Sequence, residues 1–459
     1  MTAVLILNIG LVIGALVLPN RWLIYNSYAL YAIQLLTLVP YLVWRAYFAK
    51  HLFIPSFFTL MYFLVNLTFG GFLVPRDYGW NKNYADVARS ISSYGVLVPY
   101  LLAANIVLFL VTCHTIRRLA LTPSHATHRA SPRLPLAVAL LIDAAYIAAF
   151  VLITVLNVYS AFAFQLAILI LHLSLLVQTR QRRRFVLYGI YLLTFVAWNF
   201  DNKRELAMLL FLITYFESLY GGFRVRLRPR NMVAAGGFVC AFLGLVITAS
   251  VLRGYGGSDA ETLVDAVAYV PQYIGSDLFI DGLTDNLELN YNYGAAVNAI
   301  ELGMKGSIPL QLGGSLWKVL WLPVPRALFP DKPESIMQIY TRVYAPDQAS
   351  IGGSLPVSFS SEMFLNFNVF GLLPFALVWL AIDRLYRKCD EGPGGTFSHR
   401  SCVFLSITIL LFARGSGLEQ WLFYYFLGAP ILAFASVLQR IGPAMSARPF
   451  TAARIVAER

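Results

Sequence analysis

The chain contains few charged residues. Charged side chains make up 13% of its 459 residues and hydrophobic ones 58%, whereas a soluble domain averages about 25% charged. The apolar residues occur in runs of about 20, the length that crosses roughly 30 Å of hydrocarbon; examples are 136–156, 232–250 and 418–438. Soluble helices carry polar residues at helical spacing, and these runs lack them. We therefore expect an all-α polytopic membrane protein.

Signals for several other chemistries are missing. The cysteines show no C-x-x-C spacing, so neither a disulfide framework nor a zinc site is indicated. A G-x-G-x-x-G loop and a P-loop lysine are also missing, so nothing suggests ATP use, and we expect no cofactor and no metal. The net charge of +12 comes from basic residues in short loops between the apolar runs. Such residues orient a protein in the membrane and contact anionic lipid headgroups, so the expected partners are membrane lipids and no nucleic acid.

About twelve transmembrane helices can be placed along the chain. The spans lie at 2–18, 25–44, 52–72, 93–113, 135–156, 159–178, 185–200, 204–220, 232–250, 364–383, 401–414 and 418–438. A basic cluster follows every even-numbered span, beginning at Arg45, Arg117, Arg180, Arg224, Arg384 and Arg440. Basic loops stay in the cytoplasm, so both termini are expected there. The run at 2–18 has no basic n-region and no cleavage site, so we interpret it as a retained span.

One loop dominates the predicted outer face. Residues 1–251 hold helices one to nine, 252–362 form the outward loop, 363–440 hold helices ten to twelve, and 441–459 form a cytoplasmic tail. Within the loop, 260–275, 293–303 and 315–322 have apolar residues at helical spacing. We expect short amphipathic helices on the outer membrane surface, with some residues re-entering between the spans.

Basic residues gather at the outer edge of the predicted spans. Lys203 and Arg204 open span eight, Arg253 follows span nine, Arg326 lies in the long loop and Arg414 flanks the last outward turn. A guanidinium group stays charged and offers a planar pair of donors that fits a phosphate. The set favours a diphosphate site. The alternative is that these side chains are interfacial anchors or structural ion pairs.

Uncharged and acidic candidates lie in the long loop. Glu362 follows three serines between 358 and 361, where the loop returns to a helix. It can act as a general base, or it can be a first-turn helix charge with the serines as caps. The loop is also rich in tyrosine, including Tyr291 and Tyr293, whose rings can stack on sugars or anchor at the interface.

Three stretches together resemble the oligosaccharide repeat-unit polymerases, the Wzy-type O-antigen and capsule polymerases. They are 202–205, 322–333 and 361–371, the last accompanied by Arg414-Gly415. Two positions depart from the family pattern. Relatives more often show Asn-Phe-Gly where this chain has Asn366-Phe367-Asn368, and an acid where it has Ser416.

The resemblance implies an inner-membrane glycosyltransferase with a GT-C-like fold and a large helical periplasmic loop. Such enzymes transfer a growing glycan from undecaprenyl diphosphate to a newly flipped, undecaprenyl-diphosphate-linked repeat unit, sometimes with a chain-length regulator, and need no nucleotide sugar or metal. On this basis we expect inverting transfer. The expected catalytic residues are Glu362, Arg326 and Arg414, with Glu205 as a second candidate base. The diphosphate would be bound by Lys203, Arg204 and Arg253, and the glycan by Tyr291, Tyr293 and Asn366.

Two alternatives remain open at this stage. An O-antigen ligase shares the topology, but that family usually relies on a periplasmic histidine, and all six histidines fall in predicted cytoplasmic loops or spans. A lipid-linked oligosaccharide flippase or other transporter would place ionisable residues near the bilayer midplane. Asp143, inside predicted span five, is the residue that keeps this option open.

Overall fold

The computed structural model describes residues 1–49, 54–76, 82–121, 229–252, 262–286, 289–321 and 332–390, with the shorter runs 166–170 and 425–433 and isolated residues elsewhere. Within this part of the chain the secondary structure is helical, without a β-strand. Most residues of predicted spans five to eight, eleven and twelve lie outside the described part, as do Asp143 and the whole tail 441–459.

The helices are numbered here in chain order. They are α1 Thr2–Val17, α2 Asn20–Ala49, α3 Pro55–Leu73, α4 Lys82–Ser90, α5 Tyr94–Leu121, α6 Pro229–Leu252, α7 Leu263–Ile274, α8 Leu278–Asn286, α9 Leu289–Met304, α10 Gly314–Trp317, α11 Ile336–Tyr344, α12 Pro346–Ser350, α13 Phe359–Phe367 and α14 Leu372–Asp390. Short 3-10 turns cover Val74–Arg76, Lys318–Trp321 and Asn368–Gly371.

Four helical stretches in the described ranges are long and apolar enough to cross a membrane. They are Asn20–Ala46, Pro55–Arg76, Tyr94–Ala120 and Phe359–Arg387, and α1 is a shorter apolar helix. Three of them coincide with predicted spans two, three and four. The prediction of a mostly helical chain with membrane-spanning helices is therefore confirmed in this coarse form.

Large apolar side chains hold these helices together. One buried cluster joins α2, α3, α5 and α14, and includes Leu42, Leu60, Phe109 and Trp379. A second cluster joins the opposite halves of α2, α3 and α5 to α9. The close-packed helices leave few places for polar side chains, so the polar groups that are buried occur at defined junctions.

The helices expected in the long loop are present, but α9 is not a surface helix. Segments 260–275 and 293–303 correspond to α7 and α9, and 315–322 corresponds to the short α10 with its 3-10 turn. Residues 293–300 of α9 are all buried, because α9 packs against α3, α4 and α13. Part of the predicted outer loop therefore lies inside the helical bundle.

Predicted span 364–383 falls within the stretch Phe359–Arg387, but it is not one continuous helix. A 3-10 turn at Asn368–Gly371 separates α13 from α14, and α13 runs back along α14. The Phe359 ring lies 5.6 Å from that of Phe375 and 6.5 Å from that of Trp379. A Cβ atom at Gly371 would come within 2.3 Å of the Met363 carbonyl oxygen, so the reversal depends on this glycine. Hydropathy could not reveal it, because both arms of the hairpin are apolar.

Candidate functional site

The serines before Glu362 begin helix α13. Ser358 has extended backbone angles, and its hydroxyl accepts a 3.2 Å hydrogen bond from the Ser361 N–H. The Glu362 N–H donates to the Ser358 carbonyl at 2.8 Å. Ser358 is thus the N-cap and Glu362 lies in the first turn, as the capping interpretation expects.

The Glu362 carboxylate is buried in a short polar network. Only 3% of the residue is exposed. The Ser315 hydroxyl donates to Glu362 Oε1 at 2.8 Å and accepts from Asn366 Nδ2 at 2.8 Å. The same Asn366 amide donates to the Glu362 carbonyl at 2.8 Å. These bonds fix the orientation of the carboxylate relative to its own helix.

The segment before α10 completes this network. The N–H groups of Gln311 and Leu312 donate to the carbonyls of Leu365 and Asn366, at 3.0 and 3.1 Å. The Gly313 N–H donates to Asn366 Oδ1 at 2.9 Å. The last carbonyls of a helix have no partner within it, and this segment supplies donors to two of them. It also delivers Ser315 to Glu362.

Gly415 lies against the residue that precedes the α13 cap. The Val357 N–H donates to the Gly415 carbonyl at 3.1 Å. Gly415 has φ +108°, and a Cβ atom there would lie 2.9 Å from the Val357 nitrogen. Only glycine fits this approach without strain. The fold therefore brings the Arg414-Gly415 stretch, through its glycine, to the segment that carries Glu362.

The predicted cationic site residues lie outside the described part of the chain. They are Arg326, Arg414, Lys203, Arg204 and Arg253, and Glu205 lies outside it as well. Tyr291 falls in α9, where the structure describes the backbone alone. The structure thus brings Glu362 and Asn366 together, and the proposed diphosphate contacts stay predictions.

Tyr293 is fully buried in α9. Its hydroxyl lies 3.4 Å from Ser27 Oγ on α2. A Cβ atom at Gly71 on α3 would be 3.3 Å from the ring, so the helices approach closely there. The ring has no face open to a glycan in this structure. Its role in glycan binding stays a prediction.

A narrow pocket beside the start of α13 was not predicted from the sequence. Its polar lining residues come from four helical segments: Tyr62, Asn66, Asn105, Asn292, Ser358 and Ser360. Asn292 Nδ2 donates to the Tyr62 hydroxyl at 2.7 Å. The pocket is narrow, with room for water-sized groups. Asparagines inside apolar runs were the available signal, since polar groups within the membrane are costly and are often functional.

A second missed residue, Asp383, joins three spans. Its carboxylate accepts from the Ser56 N–H at 3.2 Å, from Ser56 Oγ at 2.6 Å and from Thr115 Oγ1 at 2.8 Å. Ser56 is near the start of α3 and Asp383 lies in the second half of α14. No hydrogen bond in the described residues links this cluster to the polar network of Glu362. The carboxylate caps α3 from outside. The sequence signal for Asp383 was an acidic residue within an apolar run.

Glu301 connects α9 to the segment between α4 and α5. Its carboxylate accepts from the Ser92 N–H at 3.2 Å, from Ser92 Oγ at 3.1 Å and from the Ser93 hydroxyl, and pairs with Lys305 at 2.9 Å. Burial acts to raise the pKa of Glu301, but the hydrogen bonds from Ser93, Lys305 and Ser92 outweigh it, and the pKa lies below its usual value. This residue holds α9 in place.

Two further observations bear on function. In the described ranges, no group of three or more His, Cys, Asp or Glu side chains is placed to hold a metal ion. Comparison of the chain with protein-family models, curated proteins and solved structures finds no match. A functional assignment therefore depends on the residues and their geometry.

Proposed function

We propose that the chain polymerises undecaprenyl-diphosphate-linked oligosaccharide repeat units at the periplasmic face of the bacterial inner membrane. It would be an inverting glycosyltransferase with a GT-C-like arrangement of about twelve spans, both termini in the cytoplasm and the long loop in the periplasm. Its substrates would be two lipid-linked oligosaccharides, without a nucleotide sugar.

One observation carries the proposal: the Val357–Gly415 hydrogen bond of 3.1 Å. It joins Gly415 to Val357, which lies four residues before the stretch 361–371, although more than 40 residues separate that stretch from Arg414-Gly415 in the sequence. A shared catalytic cavity needs a base and a cation close together, and this bond brings the backbone at Gly415 to the segment that leads into the helix of Glu362.

The reaction would be a single displacement. A hydroxyl at the nonreducing end of the acceptor glycan attacks the anomeric carbon of the donor and forms the new C–O bond. The bond to the diphosphate breaks, and undecaprenyl diphosphate leaves with the electron pair. Glu362 accepts the hydroxyl proton, while Ser315 and Asn366 position its carboxylate. Arg326 and Arg414 stabilise the departing diphosphate, and the remaining predicted cations bind the diphosphates in the ground state.

The direct experiment uses the purified full-length chain in lipid nanodiscs with lipid-linked repeat units extracted from cells that lack the protein. We expect longer lipid-linked glycans without added ATP or nucleotide sugar. Arg326→Ala and Arg414→Ala should each lower the rate about a hundredfold. No extension by the wild-type chain would overturn the proposal.

Cells distinguish the alternatives. Loss of a polymerase leaves single-repeat glycan on the lipopolysaccharide core. Loss of a ligase leaves bare core, and loss of a flippase keeps lipid-linked units on the cytoplasmic face. Bare core, or lipid-linked units that stay on the cytoplasmic face, would each contradict polymerisation.

A further inference from the structure

Helix α13 enters the bundle with its N-terminus pointing inward. Phe359 contacts Phe375 and Trp379, which lie three and seven residues into α14. At 1.5 Å per residue, the start of α13 is thus about 5–10 Å along α14 from its outer end. The N-cap Ser358 therefore lies within the bundle, where it is half-buried.

The pocket at this N-terminus is uncharged, and both polar and apolar side chains line it. Ser358 and Ser360 line it together with Asn105 from α5 and with Tyr62 and Asn66 from α3. No Lys, Arg, Asp or Glu of the described residues lines it. A helix N-terminus attracts anions, but Glu362 in the first turn already supplies negative charge at this one. A neutral ligand is favoured over a phosphate.

The pocket offers both a donor and an acceptor. Asn105 is 1% exposed, and its Nδ2 donates to Gln34 Oε1 at 2.9 Å. Its Oδ1 atom is buried and finds no hydrogen-bond partner within the part of the chain that the structure describes. On the other side, the Ser360 N–H, at the second position of α13, has no acceptor within its own helix. A buried acceptor without a donor is unfavourable, so a ligand group that donates to it is favoured.

A hydroxyl group satisfies both sides, because it donates one hydrogen bond and accepts others. We propose that this pocket is a subsite for one hydroxyl group of a carbohydrate, which donates to Asn105 Oδ1 and accepts from the first turn of α13. Water fills the subsite when no glycan is bound. The pocket has room for a group of the size of a water or a hydroxyl and is too narrow for a sugar ring. The identity of the sugar-bearing ligand, a lipid-linked oligosaccharide, rests on the proposed function.

The first arm of the test is kinetic. Asn105→Leu should raise KM for the lipid-linked repeat unit about tenfold, since it removes one neutral hydrogen bond from the bound state. Asn8→Leu is the matched control, because Asn8 is also a fully buried span asparagine but lies outside the pocket. Gln34→Leu removes the oxygen that accepts from Asn105 Nδ2 but leaves the Oδ1 atom of Asn105 in place. KM should stay within about twofold of the wild-type value. An unchanged KM for Asn105→Leu overturns the subsite.

The second arm does not depend on activity. Asn292→Cys places a thiol at the half-buried rim of the pocket, in a chain whose native cysteines are changed to alanine: Cys113, Cys240, Cys389 and Cys402. A small methanethiosulfonate reagent labels this thiol. Lipid-linked oligosaccharide should slow labelling at least fivefold, whereas undecaprenyl diphosphate without sugar should not. Equal protection by both, or by neither, overturns a glycan hydroxyl site.

The two arms separate this inference from the proposed function. Protection by the glycan-bearing lipid in a wild-type chain that never extends glycans would support the subsite and contradict polymerisation. Extension by the wild type, with unchanged KM in Asn105→Leu and no protection at residue 292, would support polymerisation and contradict the subsite.

Discussion

The Ser315 hydroxyl donates a 2.8 Å hydrogen bond to the carboxylate of Glu362, and both side chains are buried. The bond connects the long loop to the helix that re-enters the bundle. It leaves Glu362 with two interpretations, a base held in position or a structural carboxylate in the first turn of α13.

Glu362→Gln separates these interpretations. Glutamine keeps the size of the side chain, and its amide oxygen can still accept from Ser315, so the melting temperature should change little. A general base contributes about 10²–10⁴ in rate, so turnover should fall at least a hundredfold. The assay is extension of lipid-linked repeat units by the purified chain. Glu334→Gln, which removes a partly exposed partner of Arg342, is the control and should keep its turnover. Wild-type turnover in Glu362→Gln would leave Glu362 with the structural role alone.

Asn368→Gly should stabilise the protein. Asn368 has φ +56° and ψ −145° at the end of α13, a region that costs a residue with a Cβ atom about 1–3 kcal/mol. We expect a gain of about 1 kcal/mol in the free energy of unfolding. The substitution also removes the exposed hydrogen bond that the Val369 N–H donates to the Asn368 side chain, and this loss offsets part of the gain. Chemical denaturation in detergent measures the change. Asn26→Gly, within helix α2, should lower stability by about 0.3–0.5 kcal/mol. A similar loss at 368 would show that its backbone is unstrained.

Gly371→Ala should separate α13 from α14. The new Cβ atom would come within 2.3 Å of the Met363 carbonyl oxygen, and backbone atoms cannot move aside without shifting the helix. We expect a loss of about 3 kcal/mol or more, as for severe overpacking. Gly14→Ala on α1 is the control, because nothing lies within 4 Å of its new Cβ atom. It should be neutral or stabilising by up to about 1 kcal/mol. Equal melting temperatures for both variants would contradict the hairpin.

Glu301 should make stability depend on pH in the acid range. Its pKa is lowered from 4.5 in the folded chain. Such a carboxylate stabilises the fold above its unfolded pKa, and that contribution is lost as pH falls through the folded pKa. Glu301→Gln should cost about 2 kcal/mol near pH 7, and the difference from wild type should shrink below about pH 4.5. Melting temperatures across pH 3–7 test this. Lys305→Met, whose side chain is 52% exposed, should cost under about 1 kcal/mol. A difference that stays constant with pH would contradict the assignment.

Asp383→Leu should destabilise the packing of α3, α5 and α14. The substitution leaves the Ser56 N–H and two hydroxyls buried without their acceptor. Removal of one partner from such a cluster costs about 3 kcal/mol or more. Asp86→Asn, at an exposed ion pair with Arg89, should change stability by less than about 0.5 kcal/mol. Thermal unfolding in nanodiscs compares them, and equal midpoints would show that the Asp383 cluster contributes nothing.

The turn after α13 has a backbone conformation that local sequence signals did not predict. Asn368 has positive φ, the conformation in which glycine is least strained. Asparagine tolerates positive φ better than most residues, so this chain keeps the turn.

The sequence determined the membrane-spanning helices α2, α3 and α5 and the presence of helices in the long loop, because run length, hydropathy and helical spacing are local properties. It also placed Glu362 at a helix start, since the serines before it are local signals. The tertiary structure alone decided the rest. The reversal at Gly371, the contact of Val357 with Gly415, the burial of α9 and the joining of Ser56 to Asp383 all depend on residues distant in sequence. Such contacts are selected by packing and by the need to satisfy buried polar groups, and neither is encoded in any single stretch of chain.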